Sequence, residues 1–275
     1  MIFHYFKIAF RNLCKHKTQN IISIIGLAVG LLCFCVCIYC SRFVESTDHC
    51  FANHDRIAEL NLYDGKADRY FSGSPVPLAE DLRTWALGET EAISSVTYPR
   101  ERPYYVELSP EKTLPYELET IEIDTCYNKI FTPEMVAGHW KMASQSLNSV
   151  ILSQSMAIKI FGNAESAIGK HMTLMRRLNT SPESTPKTGG IVYTIQAVMK
   201  DIPLNNSLDF MQNIDMLTVN DSEGLLQSPK RHNMTGANTY ALLSPQTTCT
   251  DLEKQFSKRD YTYTLYGEAY TDRKS

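Results

Sequence analysis

Residues Ile21–Cys40 read IISIIGLAVGLLCFCVCIYC, twenty residues without a charge and with one clearly polar side chain, Ser23. At 1.5 Å per residue such a helix spans roughly 30 Å, about the thickness of a bilayer core. A single helix also satisfies its own backbone polar groups in lipid. The run is longer than the apolar core of a cleaved signal, and no A-x-A-like site follows it. Ile38-Tyr39 before Cys40 suits lipidation badly, so the stretch reads as a retained anchor. Gly26 and Gly30, four apart, add a small-xxx-small pattern suited to close helix packing.

Charge falls unevenly on either side of this run. Residues 1–20 carry Lys7, Arg11, Lys15 and Lys17 and no acid, whereas residues 41–275 carry 23 basic and 30 acidic residues. Basic residues just before an apolar run place the N-terminus in the cytoplasm under the positive-inside rule. The long remainder is then expected outside the membrane, with enough chain for one large domain or two small ones. Its negative charge gives no reason to expect a nucleic-acid partner. Within residues 2–14, Ile2, Phe6, Ala9, Phe10 and Leu13 recur at helical spacing while Lys7, Arg11 and Lys15 occupy another face. That pattern predicts an amphipathic interfacial helix over 1–18, followed by a transmembrane helix over 19–44. Of the eight cysteines, only Cys50, Cys126 and Cys249 lie beyond the anchor, so at least one is free or pairs with another chain.

The remainder mixes short helical and strand patterns, which points to an α+β fold. Strands are expected at 56–62, 91–108 (interrupted by Pro103), 118–124, 171–175, 191–199 and 239–243. Helical spacing marks 77–85, 154–161 and the start of another helix at 251–256, while 126–131 reads as a turn and 132–140 as a short helix-like stretch. Ser153 is placed to cap the helix at 154 and Gly162-Asn163 to end it. Residues 179–190 form a polar loop bearing proline and glycine.

No group of residues converges as an active site. Gly162, Gly169 and Lys170 do not make a phosphate loop, because the spacing is wrong and His171 follows the lysine. Ser153 lacks a GxSxG context, and Asp201 before Pro203 reads as a turn residue. His49 and His54, near Asp48 and Asp55, read as a solvated linker rather than a metal site. No catalytic, cofactor-binding or metal-ligating residue is assigned, no cofactor is expected, and the chain is not expected to be an enzyme.

Several segments carry a resemblance. YFKIAFRNLCKHKTQNIISIIGLAVGL at Tyr5–Leu31, FANHDRIAEL at Phe51–Leu60 and VILSQSMAIKIFGNAESAIGKHMTL at Val150–Leu174 resemble the MacB/FtsX-like ABC transporter permease family. YTIQAVMKDIPLNNSLDF at Tyr193–Phe210 and TYALLSPQTTCTDLEKQF at Thr239–Phe256 extend it over nearly the whole chain. The resemblance implies a porter-like α+β extracytoplasmic lobe built from 45–110 and 190–265. A variable β-rich lobe would be inserted at 110–190, with a tail at 266–275. It implies residence in the bacterial inner membrane as a single-pass chain with a periplasmic main domain. It also implies a role in ATPase-driven efflux or transmembrane force transmission. The partners it implies are a cytoplasmic ABC ATPase, a second permease subunit, and a periplasmic adaptor or envelope protein. Family permeases carry three further membrane helices after this domain; this chain has none, and reads as a truncated product, a fragment or a degenerate paralogue. Phe161 and Phe210 are expected to pack in the core and Gly162 and Gly169 to turn the chain. The alternative is a membrane-anchored binding or adaptor module without transport activity.

Overall fold

A computed structural model of the chain describes His4, Tyr5, Arg11, Lys15 and residues 17–61, 63–64, 68–70, 73–85, 88–109, 112–174, 190–208, 213–221, 224–227, 235–257, 262–265 and 268–271. The chain divides into two compact units, Met1–Thr47 and Asp48–Ser275.

The first unit holds one 29-residue helix, α1 (Lys17–Glu45). It is long and apolar enough to cross a membrane. It has no proline, and no charge between Ile21 and Cys40, so nothing in the sequence interrupts the helical ladder. None of its residues is buried. The interfacial helix expected over 1–18 falls mostly outside the described residues; His4, Tyr5, Arg11 and Lys15 within it are helical and exposed.

The second unit begins with a helical turn at His54–Arg56 and continues through β1 (Ile57–Leu60), β2 (Tyr63–Asp64), β3 (Arg69–Tyr70), β4 (Ser74–Pro75), α2 (Leu78–Thr84), β5 (Thr90–Thr97), β6 (Arg100–Ser109) and β7 (Lys112–Ile123). There follow α3 (Tyr127–Phe131), β8 (Met135–Gly138), α4 (Trp140–Gln145), β9 (Ser149–Ser153), α5 (Gln154–Phe161), β10 (His171–Leu174), β11 (Ile191–Met199), β12 (Met216–Val219), β13 (Thr235–Leu243), α6 (Cys249–Ser257), β14 (Thr262–Leu265) and β15 (Glu268–Thr271).

Six of these strands close a ring in the order β7, β12, β9, β11, β10, β6 and back to β7. The pairing is mixed. β12 runs parallel to β7 and β11 parallel to β9, while the other pairs are antiparallel. Closure removes exposed edges along the ring. Tyr104, Leu118, Val150, Leu152, Met172, Tyr193, Ile195 and Met216 share one buried cluster with Met156, Ala157 and Ile160 of α5. The alternate residues Ile121, Ile123, Ile151, Leu217, Val219, Ala197 and Met199 belong to a second cluster with Tyr127 and Phe131 of α3 and with Tyr240 and Leu242 of β13. Both faces of β9 are therefore buried, which is why VIL at 150–152 is continuous rather than alternating. β7 also pairs with β5, and the sheet runs on through β13 to β1, with α2 and α6 contributing Leu78, Leu82 and Leu252 to a third cluster.

Strands β1, β5, β7, β10, β11 and β13 and helices α2, α5 and α6 lie where the sequence patterns place them, so the α+β class holds. Ser153 caps α5, its Oγ accepting from Met156 N at 3.3 Å, and Gly162 closes the helix with φ +85°. Three local expectations differ. Pro103 does not interrupt β6, which runs unbroken from Arg100 to Ser109 and pairs Pro103 with Glu117 of β7; among the described residues its pairing with β10 begins at Tyr104. Residues 132–139 are not helical. Thr132 ends α3 in a left-handed conformation, and Met135–Gly138 adds to β11 as strand β8 before α4 starts at Trp140. The turn expected at 126–131 contains the short helix α3. The loop at 179–190 lies outside the described residues except for Gly190, and so does Phe210.

Candidate functional site

The segment immediately after α1 is held by several distant parts of the second unit. Asp48 has φ +65°, a left-handed conformation that Asp tolerates better than most residues. Its N–H donates to Asn205 O at 3.0 Å, and its Oδ1 accepts from Ser207 N at 2.7 Å. The 203–208 loop is stiffened from within by Asn206, which is fully buried. Asn206 Nδ2 donates to Pro203 O at 2.6 Å and its Oδ1 accepts from Leu208 N at 2.9 Å, an Asx-type turn. One side chain thus fixes both ends of the loop that grips Asp48.

Phe51, 5% exposed, packs edge-on against Phe131 of α3 with ring centroids 4.9 Å apart. Phe131 in turn meets Tyr240 of β13 at 5.1 Å. The Tyr240 hydroxyl donates to Ser207 O at 3.5 Å, which returns to the loop on Asp48. Burial pushes the Tyr240 and Tyr127 phenols well above their ordinary value. Farther along, Asn53 Nδ2 donates to Lys129 O and Ile130 O. Arg56 donates to Asn53 Oδ1 at 3.2 Å and, through Nη1, to Glu91 Oε1 and Leu243 O at 3.0 Å each. Residues 48–56 are thereby tied to the 203–208 loop, α3, β5 and β13.

This junction gathers three of the five sequence segments quoted above, at 51–60, 193–210 and 239–256; of the others, 150–174 builds β9 and β10 of the ring and α5 between them, and 5–31 belongs to the first unit. Asp201 does more than turn the chain, because its Oδ1 accepts from Ser155 N in the first turn of α5 at 3.0 Å. Phe161 is partly buried against the ring's cluster, and Gly169 turns the chain with φ +77°. The His49 and His54 rings approach to 4.4 Å, yet among the described residues no group of three or more His, Cys, Asp or Glu could hold a metal ion. Cys50, Cys126 and Cys249 are all free thiols.

Sequence reasoning missed a second polar feature. Glu122, 4% exposed, accepts from Leu225 N at 2.6 Å and Leu226 N at 2.8 Å. Burial first, and then the neighbouring Asp221 carboxylate, push its carboxyl up to about 7 against the pull of those two N–H donors. Asp221, 1% exposed, has Arg102 Nη1 4.0 Å from its Oδ2. A signal for Glu122 did exist. In LETIEID it shares strand parity with Leu118, which faces the ring's interior. Nothing in the sequence marked Asp221.

No protein-family model matches the sequence, and no curated protein matches it. Solved structures do. A domain of a protein named as a permease, from Porphyromonas gingivalis, superposes with a TM-score of 0.56 at 21% identity, over 80% of this chain and 90% of that one. The periplasmic region of MacB from Actinobacillus actinomycetemcomitans superposes with a TM-score of 0.50 at 13% identity, over 78% and 86%. The fold resembles that of the MacB periplasmic region. At these identities the likeness is one of fold, and function must be argued from the residues.

Proposed function

We propose that the chain is a permease-type component of an ABC transport system, anchored in the inner membrane by α1 with Asp48–Ser275 on the periplasmic side. In this reading it transmits ATPase-driven movement of the membrane helix to the outer unit. A cytoplasmic ABC ATPase, a second permease subunit and a periplasmic adaptor or envelope protein are the partners proposed.

The observation that carries the reading is the grip on Asp48. Only Ser46 and Thr47 separate the end of α1 from it, and a two-residue tether stores little slack. A displacement of the helix end therefore reaches a residue bonded to the 203–208 loop rather than a free linker. A plain anchor for a binding module needs no such fastening. The membrane-length helix and the MacB-like fold support the same reading.

The test is affinity purification of the tagged full chain from native membranes in mild detergent. An ATP-hydrolysing subunit is expected to co-elute, and the eluate to hydrolyse ATP. Recovery of the folded chain with no ATPase in several detergents contradicts the proposal.

A further inference from the structure

Strands β11, β10, β6 and β7 lie side by side in the ring. Their residues Tyr193, Met172, Tyr104, Val106 and Leu118 turn into the buried cluster. Strand alternation therefore turns Val192, Thr173, Tyr105 and Pro115 to the outer face. The registers align these four in one row: Val192 opposite Thr173, Thr173 opposite Tyr105, and Tyr105 opposite Pro115. Val192 is 52% exposed, Pro115 is exposed, and Tyr105 and Thr173 are half-buried. Among the described residues no helix packs on β6 or β10.

The charge on this face has one sign. Positions 101, 103, 105 and 107 of β6 read Glu, Pro, Tyr and Glu, and positions 113, 115, 117 and 119 of β7 read Thr, Pro, Glu and Glu. Arg100, Arg102 and Lys112 all fall at the alternate positions, toward the other face. Glu101, Glu107 and Glu117 are exposed, and no hydrogen bond or ion pair engages their side chains among the described residues. Glu119 has an interaction of its own and is not counted with them. A half-buried tyrosine beside a proline, bracketed by three available carboxylates, suits a cationic side chain: the ring face attracts it and the carboxylates pair with it.

We propose that this face binds a short, extended, arginine- or lysine-bearing segment of a partner protein. One guanidinium lies over Tyr105, and basic residues on either side of it meet Glu101 and Glu117 at one end and Glu107 at the other. Size favours a segment over a whole domain surface. Four strands span about 14 Å and residues 101–107 about 20 Å, roughly 300 Å², well below the about 800 Å² per partner of a stable protein–protein interface. Addition of the segment as a further strand is disfavoured, because Pro115 sits on the part of β7 that precedes its pairing with β12 at Thr120. A second copy meeting this face with its own would set glutamates against glutamates, and anionic lipid or nucleic acid would be repelled. The inference is independent of the transport reading and survives if no ATPase is found.

The test is fluorescence polarisation of a labelled (Arg-Ser)5 peptide, whose alternation puts every arginine on one side of an extended chain. It is titrated at low salt with the full chain in phosphatidylcholine nanodiscs, with empty nanodiscs as blank. Saturable binding is expected. Glu107→Gln with Glu117→Gln, at exposed positions where folding is not at stake, should weaken it tenfold or more. Tyr105→Leu, which keeps an apolar side chain but removes the ring, should weaken it about threefold. Asp55→Asn with Glu253→Gln removes the same charge from other elements and should leave affinity unchanged. Absence of saturable binding, equal weakening by the two double variants, or unchanged affinity in the face variants overturns the proposal.

Discussion

Asp48 combines two demands in one position, a left-handed backbone and an acceptor for Ser207 N. Asparagine meets both, since it tolerates that conformation and keeps Oδ1. Alanine meets neither, leaving a partly buried N–H without its acceptor at a cost of about 1–3 kcal/mol. Thermal unfolding of the full chain should therefore show Asp48→Asn close to wild type and Asp48→Ala clearly destabilised; equal melting of the two would refute the role given to Oδ1. Glu122 yields a pH prediction. Its carboxyl is raised from 4.5 to about 7 in the folded chain, so the folded state holds a proton that the unfolded state has released. Stability from this group is complete below pH about 4.5 and is lost as pH rises through about 7, on the order of 3 kcal/mol in all. Glu122→Gln should flatten the fall in unfolding free energy across that window. A slope identical to wild type would mean the carboxyl does not titrate there.

Among the elements, α5 was the most readable from sequence, because its signals are local. Ser153, the apolar stripe of Met156, Ala157 and Ile160, and Gly162 lie within ten residues of one another and each acts on a neighbour in the chain. Strand β8 was not readable. Met135–Gly138 is strand only because β11 lies beside it, some sixty residues away in sequence. The two glycines separate these cases. At Gly162 a Cβ would meet nothing within 4 Å, so Gly162→Ala costs only the left-handed backbone, about 1–2 kcal/mol. At Gly138 a Cβ would collide with the Gln196 carbonyl oxygen and come within 2.8 Å of Ala197 Cα, both backbone atoms of β11. Gly138→Ala should lower the melting temperature by well over the Gly162→Ala shift, and the reverse order would count against the β8–β11 pairing.

At the scale of the whole molecule, the membrane-length helix and the α+β class were legible because an uninterrupted apolar run and alternating apolar patterns are properties of short windows. The closed ring was not, since it depends on parallel pairs such as β7 with β12 that join residues near 120 to residues near 217. The junction was hidden for the same reason: Asp48 and Ser207 stand 159 residues apart, and each alone reads as an ordinary turn residue. Only the fold shows that the strand–Asp–Pro–Ser segment ends on Asp48, the first residue of the second unit. If that contact transmits movement, it must respond when the ATPase turns over. The decisive measurement is hydrogen–deuterium exchange on the full chain purified with the ATPase proposed above, with and without ATP and vanadate. Exchange at 48–56 and 203–208 should change with nucleotide, and the change should vanish in Asp48→Ala while the ring strands stay protected. Identical exchange in those two segments with and without nucleotide, in a complex that hydrolyses ATP, would contradict the account.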